Sequence, residues 1–508
     1  MIRQVKTDKP LELAVRLFHE WNGAGVKYCH WKGNNHLLEG LRGKTDLDIL
    51  MSESSKEDGI KVLLDLCFIH VDSQYGSRYP FVEDWVGCDE KTGVMLHVHL
   101  HYRIVSGHHG LKEYTLPFDE ELLSSRINSN EWGIYTANPS LELLMLYTRI
   151  GIKVDYRQIL KAHLNKYHVS NHDMPEIVYL KDNYNREELA LLAEKYYGAE
   201  KSKILEMIDR ETYDSKWIID LHKLVVRKFK KYGRYRWGLP LLRLYYRFTI
   251  SLRNYLSKHV FKYIITKKTL PKGKGVMAVF VGQDGAGKST VTGDVIKWLR
   301  WKVETKRFYF GSGDGFRSWR KSAADKLKGK GGPLLFLRLL LTVSNYRKIA
   351  KKHLKLAKKM RGYVLKGGVA ICDRFPQMQY AGINDGPNIR VLKNRTKNKW
   401  VQKYLDYHAN REEKDIIRTI DIAPDVLFKL MLPVEESARR KPDENVEAIL
   451  RKHEIIESVC FREKKCIIVD ATQEYGQEVV SIKNNLWSIM FTNATSETGK
   501  VVVNEKAY

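Results

Sequence analysis

The period of the apolar positions changes several times along this chain, and each change marks an element. In the second half, three short and nearly continuous apolar runs read as buried strands, VMAVFV (276–281), the GGVAIC run ending at Asp373 and PDVLFKLMLP (424–433), and CIIVDAT (466–472) reads as a final strand. Between them the spacing turns helical, in VTGDVIKWLRW (291–301) and in a basic insert, 316–366, where Tyr346, Ile349, Leu356, Met360 and Val364 form a stripe among lysines. In the first half, strand-like segments such as TDLDILM and VMLHVHLHYRI run to about Arg126, and apolar clusters such as LELLMLY and LALLAEKYY then predict helices. Next, Leu241, Tyr245, Phe248, Leu252, Tyr255 and Lys258 recur at helical spacing, with Arg243, Arg247 and Lys262 carrying charge between and beyond them. Pro271 and the glycines of TLPKGKG end that helical pattern. The expected organisation is 1–126, a helical companion at 127–232, a basic connector at 233–271, a second α/β domain at 272–492, and a polar, disordered tail at 493–508.

Composition changes this picture mainly through charge. At 508 residues the chain exceeds one hydrophobic core, and 43% hydrophobic with 29% charged residues fits folded domains rather than disorder. The net charge of +27 is concentrated: no acid occurs between Asp220 and Asp284, or between Asp325 and Asp373. Such a balance points to an anionic partner, whether nucleotide phosphate, nucleic acid or an acidic lipid surface. No nucleic-acid-binding motif accompanies it, so nucleic acid ranks last. The connector helix could lie on an anionic membrane surface, but packing its stripe between two domains is the favoured reading. Six scattered cysteines without a CxxC pair suggest neither a disulfide framework nor a zinc site, and fit a reducing cytoplasm. The N-terminus lacks the apolar stretch of an export signal, and PLLFLRLLL, broken by Arg338, is too short to span a bilayer. A cytoplasmic protein is expected, one that could sit at the inner face of the membrane and could form a homodimer.

The strongest chemical signal follows VMAVFV directly. Gly282-Gln-Asp284-Gly285-Ala-Gly287-Lys288-Ser289-Thr290 matches GxxxxGK[ST] in a strand, loop, helix context. The glycines let backbone N–H groups turn onto phosphates, the helix N-terminus adds its dipole, Lys288 neutralises the transferring phosphate, and Ser289 can ligate magnesium. The bland alternative, a chance match or a lapsed phosphate site, lacks that context. Further on, Asp373 and Arg374 end a buried strand, where parallel sheets place their chemistry; Asp373 can orient magnesium and Arg374 can bind phosphate. Arg439 and Arg440, in VEESARRKPDE, read as lid arginines that neutralise charge while excluding water.

GQDGAGKST, CDRF, the PD-strand, ARRKP and VDAT occur in the order and approximate spacing of the thymidylate kinase family, and the resemblance covers about two-fifths of the chain. It implies a parallel five-stranded sheet wrapped by helices, an ATP site over the phosphate loop, and a nucleoside monophosphate site near Asp284 and Arg374. Some members carry a catalytic arginine inside the loop; Gly285 stands there in this chain, which leaves Arg439 and Arg440 that role. The family's REPGGT-like thymidylate segment is replaced by RFYFGSGDGFRSWRK, so the expected acceptor is not free dTMP but a larger anionic or sugar-linked molecule. A nucleotide-binding regulator without turnover is the alternative.

A second signal lies in His30–Met51. Gly33-Asn34 opens a helix-like segment and Asp46-Leu-Asp48 sits on a strand, which places both carboxylates on one face to hold the magnesium of an NTP. This resembles the minimal nucleotidyltransferase pattern and implies a mixed-sheet domain of that kind. Where that pattern has a third carboxylate, this chain offers His97, His99 and His101, with His99 at the expected place. Imidazole suits zinc better than magnesium, so catalysis is altered, another acid serves, or the domain only binds; a hydrogen-bonded strand face is the bland reading of the three histidines.

Overall fold

The computed structural model describes residues 9–496 except 75, 129–131, 172, 236–238, 261–266, 284, 312–318, 330–331, 383–384, 395 and 441–444. The chain is α/β and divides into two compact units, Met1–Lys268 and Thr269–Tyr508.

The first unit is built on a mixed five-stranded sheet of β1 (Tyr28–His30), β2 (Leu47–Met51), β3 (Ile69–Val71), β4 (Val82–Cys88) and β5 (Met95–His101), in the order β1-β2-β5-β4-β3. Only β2 and β5 pair in parallel. Strand alternation sorts the residues: Leu47, Ile49 and Met51 with Leu96, Val98 and Leu100 pack on Leu17, Phe18 and Trp21 of the helix Glu12–Gly23. The opposite face therefore carries Asp48, His97, His99 and His101. A two-stranded ribbon, β6 (Ile104–Ser106) with β7 (Tyr114–Leu116), follows.

Beyond it a helical bundle surrounds Pro139–Lys153, whose residues from Ser140 to Ile152 are all buried, the polar Glu142, Thr148 and Arg149 among them. Leu50 and Ile104 join that second core.

The connector helix Leu239–His259 belongs to this first unit and docks by its polar line. Arg243 reaches Glu113 (2.6 and 3.1 Å), Arg247 reaches Asp155 (3.4 Å) and Arg253 reaches Gln74 (3.3 Å). Ile250 packs so close to Gly76 that a Cβ there would meet it at 2.6 Å. The stripe read as packed is on the other side: Leu241, Tyr245, Phe248, Leu252 and Tyr255 are all exposed. Lys262 lies outside the described residues.

The second unit holds a fully parallel sheet of β8 (Val276–Gly282), β9 (Thr305–Tyr309), β10 (Val369–Asp373), β11 (Val426–Met431) and β12 (Lys465–Asp470), in the order β12-β11-β8-β10-β9. Strand order reverses at β8, so the crevice at its C-terminal end is the place where such sheets bind ligands. The helices Lys288–Leu299 and Tyr475–Thr495 meet through Trp298 and Trp487; the 32-residue helix Pro333–Val364 packs on Lys399–Ile420. The long helix buries Val343, Asn345, Ala350, His353, Ala357, Met360 and Tyr363. Of the expected stripe only Met360 is fully buried, because small and polar side chains take the closest positions. The last helix runs to Thr495, past the point where the tail was expected to start; residues 497–508 are outside the described set.

Candidate functional site

The glycine-rich loop leaves the sheet at the crevice. Gly285 and Gly287 have φ of 90° and 76°, a backbone that only glycine adopts without strain, and Gly287 caps the helix beginning at Lys288. Gln283, buried beneath the loop, accepts the Leu432 N–H at 2.8 Å and contacts His453, tying the loop to the next strand. Lys288 Nζ donates to the carbonyls of Gly282 and Gln283, each at 2.7 Å, and so lies along the loop that it would leave to meet phosphate.

A cavity of about 310 Å³ brings Gly285, Gly287, Lys288, Ser289 and Thr290 together with Asp373 and Arg374 from the end of β10. Gly282 stands at the base of the loop, where a Cβ would meet the Leu430 carbonyl oxygen at 2.7 Å. Asp284 is outside the described residues. Arg440 donates to the Gly285 carbonyl at 3.2 Å, while Glu436 holds both Arg439 and Arg440 at 2.8–2.9 Å. Of the two lid arginines, Arg440 is thus placed against the loop and Arg439 is mostly exposed.

Sequence reasoning missed Arg307 and Tyr309, which line the same cavity from β9. Arg307 bonds Asp373 at 2.8 Å and so fixes its carboxylate. Their i, i+2 spacing near a strand end was the available signal, hidden in a strand too polar to read as one.

A larger cavity of about 940 Å³ shares Arg374 with the first and lies between Pro333–Val364 and Lys399–Ile420. Its walls are apolar at Leu335, Phe336 and Leu405; its polar positions include Asn345, His353 and Asp385. Burial raises Asp385 to about 6, with Arg374 opposing. Asn345 Oδ1 and Asp385 Oδ2 are buried with no hydrogen-bond partner among the described residues.

The first unit assembles a second cluster across three strands. Asp48 on β2 and Asp84 on β4 both pair in register with His99 on β5. Asp48 Oδ1 lies 3.0 Å from His99 Nδ1, 3.5 Å from His101 Nε2 and 2.9 Å from Lys32. His97 bridges Asp46 (2.9 Å) and Asp84 (3.0 Å), and Lys268 contacts Asp84 at 3.2 Å. Burial alone would raise Asp48, but Lys32, His101 and His99 together hold it well below the usual carboxylate range. Burial, with His99 beside it, pushes His101 down to about 3 and keeps that imidazole neutral.

Asp46, joined to His97, is not among the donor atoms that converge with Asp48; that group is Asp48, His99 and His101. Asp84 is the carboxylate that the sequence did not reveal, because it comes from β4 rather than from the histidine strand. At the turn, Gly33 takes φ 68°, and Asn34 bonds His30 (2.6 Å) and the buried Glu142 (2.6 Å). Nearby, burial and the charges of Lys32 and Arg149 lower Lys112 to about 8, and the charge of Arg149 above all lowers the neighbouring Lys153 to about 7, so this side is rich in cations.

No family model matches the chain. Over 221 residues it is 27% identical to the uncharacterized ATP-binding protein YghR of Escherichia coli (strain K12), which spans 40% of this chain and 83% of that protein. A YghR from E. coli O6:H1 matches to the same extent, and the uncharacterized ATP-binding protein YghS of strain K12 is 25% identical over 208 residues, or 37% of this chain and 83% of its own length. No helix among the described residues is long and apolar enough to cross a membrane.

Proposed function

We propose that the second unit binds Mg-ATP on the glycine-rich loop and transfers its γ-phosphate to a small anionic acceptor, of the nucleoside monophosphate class or related to it. The observation that carries this reading is the meeting of Lys288, Ser289, Asp373 and Arg374 in one cavity at the strand-order reversal of a parallel sheet. Asp373 at the end of β10 and Arg374 just after it are the kinds of group that phosphoryl transfer uses for magnesium and for charge on the moving phosphate, and their presence together beside the loop favours transfer over binding alone. The relatives named as ATP-binding support the nucleotide half of the reading.

Backbone N–H groups of the loop and the N-terminus of Lys288–Leu299 receive the phosphates, and Lys288 turns from its two carbonyls to the transferring group. The Ser289 hydroxyl and the Asp373 carboxylate are hard oxygen donors of the kind magnesium takes, and when bound the ion would neutralise charge on the phosphates. Arg307 keeps Asp373 in place, Arg374 faces the acceptor from the larger cavity, and Arg440 closes on the loop. That cavity, at about 940 Å³, exceeds what a free nucleoside monophosphate needs and supports a bulkier acceptor with an apolar part. The mixed sheet of the first unit, with its Gly33 turn and Asp46-x-Asp48, supports reading it as nucleotidyltransferase-like.

The test is ATP consumption by the purified chain against nucleoside monophosphates and phosphosugars, with Lys288→Ala alongside. Turnover with one acceptor, reduced at least about a hundredfold in the variant, is the expected result. ATP binding without turnover on any acceptor would favour a regulator, and dTMP as the best acceptor by a wide margin would sink the bulkier-acceptor reading.

A further inference from the structure

The donor atoms of Asp48, His99 and His101 form a triangle whose sides are 3.0, 3.3 and 3.5 Å. Two ligands bonded to one ion at about 2.0–2.1 Å, at the tetrahedral angle, stand about 3.3–3.4 Å apart. The triangle therefore has the size of one face of a tetrahedral coordination shell. Two imidazole nitrogens face one another while both face the same carboxylate oxygen, so three donor atoms converge on one point.

The placement comes from the sheet rather than from a loop. β5 runs between β2 and β4, its alternate residues His97, His99 and His101 share the face of Asp48, and His99 sits in register with an aspartate on each side. Asp84 Oδ1, bonded to His97 Nε2 at 3.0 Å, adds a negative charge 3.9 Å from His99 Nε2, on the far side of the ring from Asp48. His101 Nδ1 has no hydrogen-bond partner among the described residues. The ammonium of Lys32 stands 2.9 Å from Asp48 and is the cation that an incoming ion would compete with.

We propose that Asp48, His99 and His101 form a binding site for one divalent transition-metal ion of the zinc class, leaving its fourth position for water or an anionic ligand. Two imidazoles and one carboxylate select such an ion over magnesium, which prefers an all-oxygen octahedron. The site does not depend on the kinase reading of the other unit, and it differs from a magnesium pair of Asp46 and Asp48, since His97 holds Asp46 apart from the triangle.

The full chain, stripped with chelator and free of nucleotide, is titrated with cobalt(II) and zinc while the visible spectrum is followed. One equivalent of cobalt with the intense absorption of tetrahedral coordination, displaced by zinc and not by excess magnesium, is expected. His99→Ala should abolish that spectrum. Asp84→Asn, which leaves all three donors in place, should weaken binding about tenfold by removing a negative charge beside His99. Lys32→Met should tighten it by removing a competing cation, and His36→Ala on the exposed turn should change nothing. Absence of the tetrahedral spectrum in the wild-type chain, or its persistence at full stoichiometry in a folded His99→Ala protein, would overturn the site.

Discussion

Glu142 is buried on the helix Pro139–Lys153, facing Asn34 and within electrostatic reach of a second buried carboxyl, Glu176. Burial, reinforced by Glu176, raises its pKa from 4.5 to about 8. Below about pH 4.5 the group is neutral in the folded and unfolded chain alike, and it costs nothing. As pH rises the unfolded chain ionises first, so stability is lost progressively until the folded carboxyl also ionises near pH 8. Glu142→Gln should therefore melt higher than the wild type at neutral pH, with a gap that widens from about pH 5 to about pH 8. A gap that stayed constant or narrowed in melting curves across that range would contradict the assignment. Asp385 poses a chemical question instead. A phosphate acceptor brings its own anionic oxygen, whereas a hydroxyl acceptor needs a base. With the acceptor class proposed above, Asp385→Asn should keep kcat within about tenfold; a fall of about 10²–10⁴-fold in the same assay would instead identify a hydroxyl acceptor and make Asp385 its base.

Among the elements, the connector helix depends on its charged line. Glu113 is buried (1% exposed side chain) and is held by Arg243 and His108, which keep it down at about 2 despite its burial. Removing one partner of a buried pair costs about 3–5 kcal/mol, and the remaining His108 places Arg243→Ala toward the lower end. Amide hydrogen exchange should show Leu239–His259 losing protection in that variant; unchanged protection would mean that Arg247, Ile250 and Arg253 hold the helix without it. Its periodicity was legible in the sequence, but the side that docks was not. A period gives the faces of a helix without saying which partner each meets, and here Glu113, Asp155 and Gln74 recruit the arginines. The strands show the same division. β8, β10 and β11 are buried on both faces and read as apolar runs, and the glycine-rich loop read directly from its spacing. β9 (TKRFY) and β4 (VEDWVGC) are mixed in polarity, so Arg307 and Asp84 stayed invisible although each completes a cluster around a residue that had been found. The larger cavity could not be read at all, because it exists only where helices more than thirty residues apart in sequence close on each other.

At the scale of the molecule, the two proposed ligand sites belong to different compact units, one on the mixed sheet and one on the parallel sheet. A ligand that binds only the folded form of one unit stabilises that unit by RT ln(1 + [L]/Kd), about 2.7 kcal/mol at a hundred times Kd. For units of this size each kcal/mol moves the midpoint by about 2–4 °C. If the units unfold independently, calorimetry of the full chain should show two transitions. Mg-ATP should raise one by about 5–11 °C, and zinc should raise the other. Lys288→Ala should remove the first response alone and His99→Ala the second alone. A single transition moved by either ligand would mean instead that the units fold as one cooperative body, and each ligand would then stabilise the other's site through the shared unfolding equilibrium.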